Sequence, residues 1–141
     1  MIIPVLQTAA VAASDLKLNS SLDYHSDSND GPLITGEDMS DGVVSTSVPA
    51  YIIFYQRECY NSKRQARRTV ELYDKYKGKV KFIVIDLDSS MSSDQNDLVK
   101  RFYQGYIPHV TVLGKDGNVL YNSSGEVSTE IISRMIDREL M

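Results

Sequence analysis

Tyr51-Ile52-Ile53-Phe54-Tyr55-Gln56-Arg57-Glu58-Cys59 is the stretch that decides the fold of this chain. The first five residues are apolar or aromatic without a break, the pattern of a strand covered on both faces. Three polar residues follow, and Cys59 stands where the periodicity changes. From Ser62 to Lys77, the residues Ala66, Val70, Tyr73 and Tyr76 or Lys77 recur at helical spacing. Lys63, Arg64, Arg67, Arg68 and Asp74 fall mostly on other faces, and Gly78 supplies the stop. The spacing predicts a strand, a polar junction and a helix, with Cys59 at the helix start.

Toward the C-terminus, Val80 to Asp88 reads as a second strand, which completes a βαβ unit with parallel strands. The Ser-rich loop Ser89 to Asp94 leads into a helix carrying Leu98, Val99, Phe102 and Tyr103. Gly105-Tyr106-Ile107-Pro108-His109 then opens a strand over Val110 to Leu113. The turn Gly114-Lys115-Asp116-Gly117 joins it to Asn118-Val119-Leu120-Tyr121 as a β-hairpin. Ser128 is placed to cap a last helix with Ile131, Ile132, Met135 and Ile136 as its buried stripe. The order is β, α, β, α, β, β, α in one α/β domain from about residue 49 to 140.

Toward the N-terminus the pattern fades. Asp15 to Asp41 is dense in Ser, Asn, Asp and Gly, with too few apolar residues to offset its own ordering entropy, so it reads as a linker or loosely held arm. Asp38 to Ser45 is a candidate short helix that Gly42, Val43 and Val44 weaken. Met1 to Ser14 is apolar, but Pro4 and Gln7 interrupt it, no Lys or Arg precedes it, and it is too short to span a bilayer. Ala9 to Ser14 resembles the small-residue end of a secretory signal. The expected division is therefore 1–34 as arm, a signal or anchor remnant plus linker, and 35–141 as the folded domain. Asn19-Ser20-Ser21 and Asn122-Ser123-Ser124 fit the N-glycosylation pattern.

A chain of 141 residues builds one core, and its 42% apolar and 24% charged residues are those of a soluble globular protein. A formal charge of -4 argues against a nucleic-acid binder. One cysteine excludes an internal disulfide and a cysteine-rich metal site, so neither metal nor other cofactor is expected. Asp86, Asp88 and Asp94 match no calcium loop and are expected to cap local turns.

Cys59 at a helix start faces unpaired backbone N–H groups and the positive dipole end, which favour an anion. Arg57, Lys63 and Arg64 are close enough in sequence to add positive potential, with Glu58 opposed. Ser62 is one helical turn on, where its hydroxyl is expected to donate to the sulfur. It has no thiol with which to resolve a mixed disulfide, so thiol exchange here is monothiol exchange. His109 is read either as a hydrogen-bond or proton route to Cys59 or as a strand-end histidine satisfied locally. A Cys–His hydrolase reading lacks an orienting residue. Lys63, Arg64, Arg67 and Arg68 read either as a basic face for glutathione or an acidic partner, or as a solvated helix surface. Tyr73, Tyr76, Tyr103 and Tyr106 read as core and rim.

The run Phe54 to Lys63, together with Tyr76-Lys77-Gly78-Lys79-Val80, Ile85-Asp86-Leu87-Asp88, Tyr106-Ile107-Pro108-His109 and Lys115-Asp116-Gly117-Asn118-Val119, resembles the thioredoxin superfamily over about 90 residues. The Ile-Pro-His form and the helix after the Asp-rich loop are most similar to membrane-anchored thioredoxin-like proteins of the bacterial periplasm and thylakoid lumen. The resemblance implies a central mixed sheet flanked by helices. It places Cys59 at the nucleophile, Ser62 at the resolving position, and Ile107-Pro108 at the cis-proline turn that aligns an extended substrate segment. Tyr60, Asn61, Ile107 and His109 become candidate substrate contacts, with Arg57 and Lys63 tuning the thiolate.

Ile53 stands where many relatives carry a buried aspartate, Val84 where some carry a lysine, Glu58 for the usual aromatic, and Tyr60-Asn61 for Gly-Pro. Two functions follow: a thiol-disulfide oxidoreductase lacking its resolving cysteine, or a redox-inactive binding or chaperone-like domain. The expected partner is a disulfide-bearing or thiol protein, or glutathione, met by a monomer without nucleic acid or metal. An extracytoplasmic setting is expected, with the cytoplasm as alternative, and any membrane link would run through an N-terminal anchor.

Overall fold

Every side chain from Ala50 to Tyr55 is buried, because the strand they form lies inside the sheet with a neighbour on each side. In the computed structural model, which describes residues 15–27, 31–36, 41–45 and 47–141, the elements run in the expected order. After two short strands, β1 (Lys17–Leu18) and β2 (Ile34–Thr35), come β3 (Ala50–Tyr55), α1 (Tyr60–Tyr76), β4 (Lys81–Asp86), α2 (Ser93–Phe102), β5 (His109–Leu113), β6 (Val119–Ser124) and α3 (Thr129–Leu140). The main sheet has the order β4-β3-β5-β6; β3 is parallel to β4 and antiparallel to β5, and β5 is antiparallel to β6. This is the mixed sheet flanked by helices that the resemblance implies.

Alternation along β3 divides the core. Tyr51, Ile53 and Tyr55 meet Ala66, Leu72 and Tyr76 of α1 and Ile132 and Ile136 of α3. Ala50, Ile52 and Phe54 meet Leu98 and Phe102 of α2. The buried face of α1 differs from the expected stripe: it comprises Ser62, Lys63, Gln65, Ala66, Thr69, Leu72 and Tyr76, while Val70 and Tyr73 are half-buried. Gln65 and Thr69 reach the core because they and Tyr51 satisfy one another. Gln65 Nε2 donates to the Tyr51 hydroxyl (3.2 Å), which also pairs with Thr69 Oγ1 (2.7 Å), and Gln65 Oε1 accepts the Val127 N–H (2.9 Å). Burial pushes the Tyr51 phenol up to about 12. In α3, Ile132 and Ile136 are buried as expected, whereas Ile131 is 45% exposed.

The segment read as a linker is packed onto the domain. β1 and β2 pair antiparallel, Leu33 and Ile34 are fully buried in the core shared by α1 and α3, and Leu16, Leu18 and Leu22 pack against it. Tyr55 Oη accepts the Leu33 N–H (3.1 Å), and Tyr24 Oη donates to the Leu33 carbonyl (2.6 Å). The segment joins a core that already exists instead of building one, so its sparse apolar residues suffice. The division drawn after residue 34 falls inside β2.

The proposed signal or anchor remnant at 1–14 lies outside the described residues. Of the candidate helix 38–45, residues 41–45 are not helical and 38–40 lie outside. Gly42 instead lies so close to α2 that a Cβ there would stand 2.6 Å from the Gln95 nitrogen. No helix among the described residues is long and apolar enough to cross a membrane.

Candidate functional site

The chain leaves β3 at Tyr55 and enters α1 through Cys59, whose extended backbone makes it the N-cap. The residue is half-buried, and its sulfur accepts the Ser62 N–H at 3.4 Å. The expected bond from the Ser62 hydroxyl is absent: Ser62 Oγ is buried and has no hydrogen-bond partner among the described residues. The amide, already directed out of the helix end, reaches the sulfur in its place.

Carboxylates hold the backbone on either side of Cys59. Asp88 Oδ2 accepts the Arg57 N–H (2.8 Å), and Asp27 Oδ1 accepts the Tyr60 N–H (2.7 Å). α1 has no acidic residue in its own first turn. Asp27 therefore supplies, from the preceding segment, the negative group that a helix start favours. No local pattern marks this aspartate, which sits in a run of Ser, Asn and Asp.

The cations expected to tune the thiolate have other partners. Arg57 Nε meets Asp86 Oδ2 at 2.8 Å and its Nη2 donates to Ser89 Oγ at 2.9 Å, while Asp86 Oδ1 accepts the Asp88 N–H. The Asp86 bond raises the Arg57 guanidinium above its ordinary value. Arg57 and Asp86 line a cavity of about 350 Å³ with Pro32, Ile34, Tyr55 and Ser89. Lys63 is 0% exposed, and its Nζ donates to the carbonyls of Asp23 and Ser26, 2.7 Å each. Within that turn Asp23 accepts from the His25 amide and the Ser26 hydroxyl, which lowers its carboxyl below the usual range. Arg64 lies 5.8 Å from the Tyr60 ring centroid and pairs with Glu126, as Arg68 does. Of the four residues of the basic face, Arg64 and Arg68 share Glu126, Lys63 is buried and Arg67 is exposed.

Asn61 is exposed and Tyr60 half-buried beside Cys59. The Ile107–Pro108 peptide is cis. His109 pairs with Phe54 in register, so Pro108 stands at the same end of the sheet from which the chain runs to Cys59. Ile107 is half-buried, and Tyr106 before it is 74% exposed. His109 turns to β6: Nε2 donates to Asn122 Oδ1 (2.7 Å), which also accepts from Thr111, and Nδ1 takes the Ser124 hydroxyl (3.0 Å). Burial lowers its imidazole below the ordinary histidine value, with Asn122 partly opposing. Of the two readings of His109, the locally satisfied strand-end histidine fits these contacts, which engage both ring nitrogens that a Cys–His hydrolase reading would need.

Both glycosylation sequons also have engaged amides, Asn122 as above and Asn19 with Ser21 and the Pro32 carbonyl. Ile53 and Val84 are buried and apolar. Among the described residues, no group of three or more His, Cys, Asp or Glu is placed to hold a metal ion.

No family model and no curated protein matches the chain. Solved structures do. A malarial protein is 18% identical, covering 67% of this chain and 100% of its own at a TM-score of 0.55. Thioredoxin-2, a component of malaria parasite protein secretion machinery, is 22% identical, covering 64% and 82% at 0.53. Chloroplastic thioredoxin z is 19% identical, covering 67% and 80% at 0.54. The likeness is one of fold, and the fold is thioredoxin-like.

Proposed function

We propose that this is a monothiol thioredoxin-like protein that forms mixed disulfides through Cys59. The observation that carries the reading is the sulfur's place as N-cap of α1, with the Ser62 N–H donating to it. The Cys59 thiolate attacks one sulfur of a disulfide; a Cys59 Sγ–S bond forms, the substrate S–S bond breaks, and the electron pair leaves on the displaced thiolate. Ser62 has no thiol to attack the product, so an outside thiol frees Cys59. Tyr60, Asn61, Ile107 and Pro108 border the approach, and the partner is a disulfide-bearing protein or a small thiol such as glutathione. Disulfide partners persist in oxidising compartments, which suits an extracytoplasmic setting.

The test is intact-mass analysis of the folded chain with 2-hydroxyethyl disulfide. One thiol-reversible adduct is expected, absent in Cys59→Ala. In Ser62→Cys the adduct is expected to give way to an internal disulfide. A folded chain that stays unmodified while the denatured chain reacts overturns the reading. It would favour a redox-inactive binding domain, whose supporting observation is the segment around Asp27 seated on the first turn of α1.

A further inference from the structure

The cavity beside Arg57 plays no part in thiol exchange, and Cys59 does not line it. It holds about 350 Å³. Protein interiors leave few voids larger than a water molecule, and a cavity of about 150 Å³ already takes up benzene. Separate parts of the chain enclose it: residues 34–36, the ends of β3 and β4, the loop at Ser89 and Ser90, and Gln95 of α2. Pro32, Ile34 and Val84 give it apolar lining, and Arg57, Asp86 and the two serines give it polar lining. That mixture, an apolar body of space with a few convergent polar groups, is the composition of a small-molecule site.

The polar lining is held in place and is richer in donors than in acceptors. Arg57 is fixed at Nε by Asp86 Oδ2 and at Nη2 by Ser89 Oγ, which leaves Nη1 without a hydrogen bond among the described residues. Ser89 accepts that bond and keeps its own proton to give. Asp86 already accepts on both oxygens, from Arg57 and from the Asp88 N–H. A guest that only donates, as a cation does, faces these donors. An anion faces two carboxylates, Asp86 and the Asp88 that holds the Arg57 amide, against the single charge of Arg57. A neutral acceptor with an apolar body behind it meets neither obstacle. We propose that this cavity binds a small neutral molecule with a carbonyl on a ring-sized apolar body, an aromatic amide being the simplest case, and that Arg57 Nη1 donates to the carbonyl oxygen.

Amide-resolved NMR titration of the full chain tests this with four probes on one ring: benzamide, a neutral acceptor; benzamidinium, a cation; benzoate, an anion; and toluene, with no polar group. Benzamide is expected to give saturable shifts at residues 34–36, 57 and 84–90, and to bind about fivefold or more tighter than the other three, the worth of one hydrogen bond. Arg57→Lys keeps the charge beside Asp86 but has one nitrogen, spent on that carboxylate, and should bring benzamide down to toluene. Ser90 is exposed, so Ser90→Trp obstructs the cavity without touching the core and should abolish the shifts at an unchanged thermal midpoint. Cys59→Ala should bind benzamide as the parent chain does, so the site stands or falls apart from the thiol chemistry. Shifts that do not saturate or that centre elsewhere, tightest binding by another of the four probes, a benzamide advantage that survives Arg57→Lys, or binding that survives Ser90→Trp would overturn the proposal.

Discussion

The starts of α1 and α2 solve the same problem in opposite ways. α2 is capped from within four residues: Ser92 Oγ accepts the Gln95 N–H at 3.1 Å, Gln95 Oε1 accepts the Ser92 N–H at 3.0 Å, and Asp94 lies in the first turn. α1 has a sulfur as cap, a weaker acceptor at 3.4 Å, and no acid in its first turn. Its carboxylate comes from Asp27, 33 residues earlier, on a segment that Lys63 clasps. A helix start that carries a chemical group at the cap gives up the best capping residues there. The fold restores the missing interaction from a distance.

The largest break in this contrast is expected at the clasp. Lys63→Met removes a buried ammonium and two charged hydrogen bonds, and should lower stability by about 2 kcal/mol in urea unfolding, with residues 19–27 becoming sensitive to protease. Ser92→Ala tests the self-capped helix. It should cost about 1 kcal/mol and leave the protease sensitivity of 19–27 unchanged.

Acid separates the two starts next. The α2 box is built from Ser and Gln and does not titrate, whereas Asp23 has a carboxyl lowered chiefly by the His25 amide. A lowered carboxyl contributes stability above its unfolded value of 3.8 that is lost as pH falls through the folded value. As pH falls from about 5 through 3.8 and then through the lower folded value, the protection factor of the Tyr60 amide should therefore fall relative to that of Gln95, read by hydrogen exchange. The smallest effect has the opposite sign. Ser62→Ala removes a buried hydroxyl that has no partner among the described residues and should leave the urea midpoint unchanged or raise stability by up to about 1 kcal/mol.

What was legible in the sequence was what repeats locally. The unbroken run 51–55 gave the inner strand, the turn residues 114–117 gave the hairpin, and Ser128 gave a helix start, because each signal lies within a few residues of its consequence. The burial of Gln65, Thr69 and Lys63 was not legible, since a polar side chain enters a core only when its partner is known, and Tyr51, Val127 and the Asp23 carbonyl are remote in the chain. The packing of Leu33 and Ile34 was hidden similarly: two apolar residues in a polar stretch carry no period. At the site, Cys59 was found from its position at a junction. The engaged states of Arg57 and His109 depended on Asp86, Ser89, Asn122 and Ser124, and proximity in sequence pointed elsewhere.

The contacts of Asp27 with Tyr60 and of Asp23 with Lys63 also order events in time. They join residues 33 and 40 positions apart, whereas α1 closes its own turns over four. Synthesis delivers the N-terminal segment first, yet Tyr55, Tyr60 and Lys63, to which it attaches, leave the ribosome later. The segment carrying Asp23 and Asp27 is thus made before the groups that hold it, and it has no seat until α1 has followed.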